Sequence, residues 1–142
     1  MGFSLVAAAA IIGVSILVVI GTFTGSLLPA VTDISDSYED MRDRIIDKIQ
    51  TDIDITNVNT PANGSNYDLN ITLENTGSIT LKTSDFSILI NGTLHPFTCS
   101  NSYIYPENTV YFNVTNLSGT GQRRLKVVAI NGISDYYDYT IT

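Results

Sequence analysis

The chain of 142 residues has one cysteine, one histidine, no tryptophan and only seven basic residues. A single cysteine excludes an intrachain disulfide framework and any multi-cysteine zinc site. A single histidine argues against a His-based metal cage or a catalytic triad. Seven bases against 14 acids give a formal charge of −7. Nucleic acid is therefore disfavoured as a partner, because neutralising phosphates takes clustered Lys and Arg. No Gly-x-Ser-x-Gly elbow occurs, so hydrolase chemistry has no support. We expect no enzyme, no cofactor, no metal and no small-molecule substrate.

Charge is also missing from one stretch altogether. Asp33 is the first charged side chain, and residues 5–28 read LVAAAAIIGVSILVVIGTFTGSLL. As a helix this segment would span about 36 Å, enough to cross a hydrocarbon core of roughly 30 Å. A cleavable secretory signal would carry a basic start, a shorter apolar core and a small-x-small site. No Lys or Arg precedes this stretch, and Leu28-Pro29-Ala30 makes a poor site. The segment reads as a retained transmembrane anchor over residues 1–32. Small residues at Ala9, Gly13, Gly21 and Gly25 include a Gly-x-x-x-Gly pair, which would let a second helix approach closely in lipid.

Beyond the anchor, Leu27, Val31, Ile34, Tyr38, Met41 and Ile45 are spaced 4-3-4-3-4. This is a heptad seam, and it predicts an amphipathic stalk helix over residues 33–51. The seam would face either a partner helix or the chain's own domain. Pro29 is expected to kink the helix, with Asp33 and Asp36 suited to restarting it.

From residue 52 the hydrophobic period changes to two. Tyr67, Leu69, Ile71 and Leu73 alternate with polar residues in YDLNITL. Further strands are expected at 79–82, 86–90, 93–99, 109–115, 124–130 and 136–142. Turn chemistry separates them at Asn63-Gly64, Asn75-Thr76-Gly77, Asn91-Gly92, Ser118-Gly119-Thr120-Gly121 and Asn131-Gly132. Seven or eight short strands predict an all-β, immunoglobulin-like β-sandwich over residues 52–142, preceded by the long helix. About 90 residues suffice for one such core but not for a large catalytic cleft.

Candidate chemistry in this region is thin. His95 and Cys99 fall in one expected strand and read as a surface histidine and a small buried thiol. Asp52 with Asp54, and Asp135 with Asp138, lack the spacing of a full calcium loop. Tyr137 and Tyr139 should share one face of the last strand and Tyr136 the other. An exposed tyrosine there could anchor a protein contact. Arg123 and Arg124, with Lys126, form the basic patch outside the stalk, which could meet an acidic partner. Five Asn-x-Ser/Thr sequons, at Asn63, Asn70, Asn91, Asn113 and Asn116, are possible glycosylation sites.

Orientation draws on opposing signals. Arg42, Arg44 and Lys48 would hold the C-terminal side in the cytoplasm by the positive-inside rule. The sequons, the low lysine content and the abundance of Asn, Thr, Ser and Tyr favour an extracytoplasmic domain. We expect a single-pass cell-membrane protein with a short cytoplasmic N-terminus and the β-domain outside.

Three stretches carry a family resemblance: Met1-Gly2-Phe3-Ser4 with Ala10-Ile11-Ile12, Leu28-Pro29-Ala30-Val31 leading into the acidic heptad, and LNITLENTGSITL over 69–81 with its Asn75-Thr76-Gly77-Ser78 turn. The layout resembles the archaellum accessory (stator) protein F family and the related archaellins. That resemblance implies a non-catalytic part of the archaeal swimming motor. Its sandwich would bind the surface layer and would self-associate as a homo-oligomer or pair with the sister archaellum protein G. Two rival readings are an archaellin-type filament subunit and a generic extracellular binding module of adhesin type. Archaellin precursors carry a basic leader ending in Gly, which is absent here if Met1 is the native start.

Overall fold

The structure is a computed structural model and describes residues 2–141. Met1 of the N-terminal motif and Thr142 of the expected last strand lie outside the described residues. The chain divides into two compact units, Met1–Asp43 and Arg44–Thr142.

The first helix, α1 (Gly2–Thr22), has no buried residue and no charged one. A single π-helical turn follows at Phe23–Leu27, and α2 runs over Leu28–Gln50. Pro29 therefore does not interrupt the helix, and the expected restart after it does not occur. Proline lacks an N–H, and its ring crowds the carbonyl four residues back, here that of Gly25. The π turn contains Gly25, and widening the backbone there accommodates the ring without a restart. Helix runs without interruption from Gly2 to Gln50, so Asp33 and Asp36 are interior positions rather than caps.

The second unit is a sandwich of antiparallel sheets. One sheet has the order β1 (Ile53–Asn59), β3 (Asn66–Asn75), β9 (Thr109–Leu117), β7 (Thr98–Cys99), with β2 (Ala62–Asn63) also paired to β3. The other runs β11 (Ser134–Ile141), β10 (Gly121–Val128), β5 (Ser87–Ile90), β6 (Thr93–His95). A short ladder joins β4 (Leu81–Lys82) to β8 (Tyr103–Ile104). Alternation sends Leu69, Ile71, Leu73, Val110, Phe112 and Val114 inward from the first sheet, and Ile88, Ile90, Leu125 and Val127 from the second. Phe86 and Phe97 pack on Phe112 with ring centroids 5.4 and 5.1 Å away. Burying each such side chain stabilises by about 1.5–3 kcal/mol, so this apolar layer dominates the fold.

Asn91 (φ 50°) and Gly92 (φ 82°) form the two-residue hairpin between β5 and β6, as their turn chemistry predicts. The expected strand over 93–99 is instead two strands in different sheets. Pro96 sits at the break, where its missing N–H could not have served a ladder. One consequence is that His95 and Cys99 do not share a strand edge.

The Asn75-Thr76-Gly77-Ser78 turn is not a tight hairpin either. It holds the exit of α2. The Ser78 N–H donates to the Gln50 carbonyl at 2.8 Å, and the Thr76 and Gly77 N–H groups both donate to the Asp52 carbonyl at 3.1 Å. Gly77 is required by closeness: a Cβ there would run into the backbone of Gln50 and Asp52. Asn75 is fully buried, and its Nδ2 donates to the Ile79 carbonyl (2.8 Å) and the Ile104 carbonyl (3.2 Å). Its Oδ1 accepts the Gly77 N–H at 3.1 Å. On the other side of the exit, Thr51 is buried and donates to the Asp47 carbonyl at 2.7 Å, while Asn131 donates to Thr51 Oγ1.

Replacing Asn75 by Ala removes the buried amide from the Ile79 and Ile104 carbonyls and leaves the Gly77 N–H with the Asp52 carbonyl alone. Asn75→Ala should destabilise the folded unit by roughly 2–4 kcal/mol, read as a lower urea midpoint. Gly77→Ala should lower the same midpoint. A midpoint unchanged by both substitutions would show that the turn does not hold the helix exit.

Candidate functional site

Three surfaces carry what the chain presents to other molecules. The first is the apolar helix. All four hydroxyls of residues 5–28 donate back to helix carbonyls: Ser15 to Ile11 (2.8 Å), Thr22 to Val19 (2.9 Å), Thr24 to Ile20 (2.9 Å) and Ser26 to Thr22 (2.8 Å). In hydrocarbon each would otherwise be an unpaired donor, so this back-bonding fits the segment to lipid. Gly13, Gly21 and Gly25 face open space, leaving room for a neighbouring backbone. Gly25 lies in the π turn, so the Gly21–Gly25 pair spans a change of helical pitch.

The second is the heptad seam. Leu27 belongs to the π turn, and Val31, Ile34, Tyr38, Met41 and Ile45 lie on α2. All six are exposed, Tyr38 at 73%.

The third is the sandwich surface. On the outer face of the β10–β11 sheet, Arg124 makes a two-pronged pair with Asp138, Nε to Oδ1 at 2.7 Å and an Nη to Oδ2 at 2.8 Å. Bonding to the guanidinium holds the Asp138 carboxyl below its ordinary range and raises Arg124. Lys126 lies 5.0 Å from the centre of the exposed Tyr136 ring, and the lysine pulls that phenol's pKa down. Arg124 is thus engaged within the sheet, and Tyr136 is the tyrosine of the last strand that faces solvent. Tyr139 is buried beside Tyr67, with their hydroxyls 3.3 Å apart, and Tyr137 packs against the core. Of the three candidate contact tyrosines, Tyr139 is thus a core residue, Tyr137 is half-buried and Tyr136 is exposed. Arg123 is half-buried and donates to the Ser118 carbonyl at 3.2 Å.

The outer face of the other sheet is built of asparagine and threonine. Asn70 and Asn113 sit opposite each other on β3 and β9, and their amides are hydrogen-bonded. Asn116, in the left-handed region at φ 62°, lies where β9 bulges opposite Asp68. Asp68 accepts the Asn116 N–H at 2.9 Å and the Asn63 amide at 3.0 Å, and the Asn63 bond, the stronger cause, helps hold its carboxyl low. Asn91 is exposed and accepts the Arg124 N–H at 2.9 Å. Four of the five sequon asparagines therefore share one sheet and are tied into its hydrogen bonding. Exposed Tyr103, Tyr105 and Tyr111 were not singled out by sequence; Tyr103 and Tyr111 stand beside buried Ile104 and Phe112 in strand registers that only the fold reveals, and Tyr105 follows β8.

Asp135 Oδ2 accepts the Ile55 N–H at 2.8 Å and so bridges the two sheets, while Asp138 is committed to Arg124. Among the described residues no group of three His, Cys, Asp or Glu side chains could hold a metal ion. Cys99 is half-buried rather than buried, with its thiol 3.1 Å from the Asn101 carbonyl.

The sequence model of the archaeal-type flagellin family matches residues 2–139. No curated protein matches. Among solved structures, the archaellum periplasmic stator protein FlaG from Sulfolobus acidocaldarius superposes with a TM-score of 0.54 at 19% identity, over 63% of this chain and 99% of that one. At that identity the likeness is one of fold.

Burial and the bond to Tyr67 raise the Tyr139 pKa well above that of a free phenol. The unfolded chain releases this proton first, so the contribution to stability is full below about pH 10 and declines as pH rises beyond it. Tyr139→Phe should flatten the alkaline limb of the stability profile, measured by urea unfolding at stepped pH. An unchanged limb would place the alkaline sensitivity elsewhere.

Proposed function

The chain belongs to the archaeal-type flagellin family and is a non-enzymatic component of the archaellum, and from that premise we propose that it serves as a membrane-anchored stator gripping the surface layer. The helix of residues 2–50 anchors it, with the short N-terminus in the cytoplasm and the sandwich outside. The observation that carries this reading is the joint at Gln50–Asp52. A stator must pass force from an external contact to its anchor, and a flexible linker would dissipate it. Here the last turn of α2 enters the sandwich through backbone hydrogen bonds and a buried threonine, with no linker between them. The polar outer sheet faces, with Tyr136 and the Tyr103, Tyr105 and Tyr111 group, offer the surface for a surface-layer protein. The seam of α2 offers a second contact, to another archaellum protein such as the sister protein G.

A second reading, the filament subunit, is favoured by α1 being apolar on every side, a surface that suits the centre of a helical filament as well as lipid. Cell fractionation separates the two. A stator should remain with membranes when filaments are sheared off, and the detergent-solubilised full chain should bind isolated surface-layer protein with a Kd of about 10 µM or tighter. Recovery as the main protein of sheared filaments, or no binding by the folded chain at that concentration, would overturn the stator reading.

A further inference from the structure

Along α2 the charges are sorted by sign. With 3.6 residues per turn, all six acids (Asp33, Asp36, Glu39, Asp40, Asp43, Asp47) lie at least about 120° around the helix from the centre of the seam. The three bases do not: Arg42 and Lys48 lie within about 60° of that centre and Arg44 at about 100°. In heptad terms Val31, Tyr38 and Ile45 occupy a, and Leu27, Ile34, Met41 and Lys48 occupy d. The flanking e and g positions are then Leu28, Ala30, Ser35, Ser37, Arg42, Arg44 and Ile49. The acids occupy only b, c and f, which point away from any partner laid on the seam.

Solubility alone would not require this sorting, since a lone amphipathic helix can place either sign anywhere on its polar side. In paired helices the e and g side chains meet across the interface and decide which partner is accepted. Two copies of α2 could present only Arg42, Arg44 and neutral residues to each other from these positions. That holds for parallel and antiparallel pairs alike, so no ion pair would form between the flanks. Register would also bring Lys48 against its own counterpart in a parallel pair. A helix with a similar apolar seam bordered by Asp or Glu would meet all three cations with opposite charge.

We propose that the seam of α2 docks the helix of a different chain, one whose seam is flanked by carboxylates, and that the arrangement selects against a second copy. The inference concerns the helix alone and stands whether the sandwich grips the surface layer or not.

The test uses the full chain in detergent micelles and two labelled synthetic peptides of residues 27–49. One has the native sequence. The other carries Arg42→Glu, Arg44→Glu and Lys48→Glu, which keeps the seam except at Lys48 and reverses the flanks. Fluorescence anisotropy should show the acid-flanked peptide binding at least about tenfold tighter at about 50 mM NaCl, with the difference shrinking at about 1 M as salt screens the pairs. The same three substitutions in the full chain should invert the preference, which an altered peptide helicity could not do. Adding Tyr38→Ser, Met41→Ser and Ile45→Ser to the acid-flanked peptide should abolish binding. Equal binding of both peptides, binding of neither, a preference that salt leaves unchanged, or no inversion would each overturn the proposal.

Discussion

The junction of α2 with the sandwich depends on one buried amide. Asn75 closes the long strand β3, and its single side chain satisfies the carbonyls of Ile79 and Ile104 and the N–H of Gly77. Its backbone is also paired, its N–H with Asn108 and its carbonyl with Glu107. An apolar side chain of equal size could fill the space but could not meet these groups, and an unmet buried polar group costs more than a formed bond contributes. The turn shaped by this amide is the one that receives the end of α2. Hydrogen bonding deep in the sandwich thus decides how the helix enters it.

Much of this architecture was legible in the chain. Period-two alternation through Leu69, Ile71 and Leu73 marked β3 and its inward face, and Asn91-Gly92 marked a true hairpin. Thirty-two uncharged residues marked the apolar helix. What failed did so for local reasons. A restart at Asp33 or Asp36 was expected because sequence shows the donor lost at Pro29 but not the π turn that relieves its ring. Residues 93–99 read as one strand because periodicity does not register a change of sheet, although Pro96 was a signal for it. Asn75-Thr76-Gly77 carries the composition of a hairpin turn, yet Gly77 is there for a close backbone approach that only the distant Gln50 and Asp52 create.

The candidate surfaces were less legible than the fold. Alternation correctly grouped Tyr137 with Tyr139 but could not say which side of the strand would be interior. That depended on Tyr67 across the sandwich. The Arg123-Arg124 patch looked free in sequence because its partners, Ser118 and Asp138, are brought to it by strand pairing. The heptad seam, by contrast, needed only the helical repeat to be read, and the segregation of charge about it is a property of sequence that the continuous α2 preserves.

The back-bonded hydroxyls of the apolar helix bear on how such a chain enters lipid. Ser15, Thr22, Thr24 and Ser26 already have acceptors within their own helix. None has to wait for a neighbouring subunit or a trapped water before leaving the aqueous phase. Transfer of this helix into hydrocarbon therefore strands no hydroxyl donor, whatever surrounds it there.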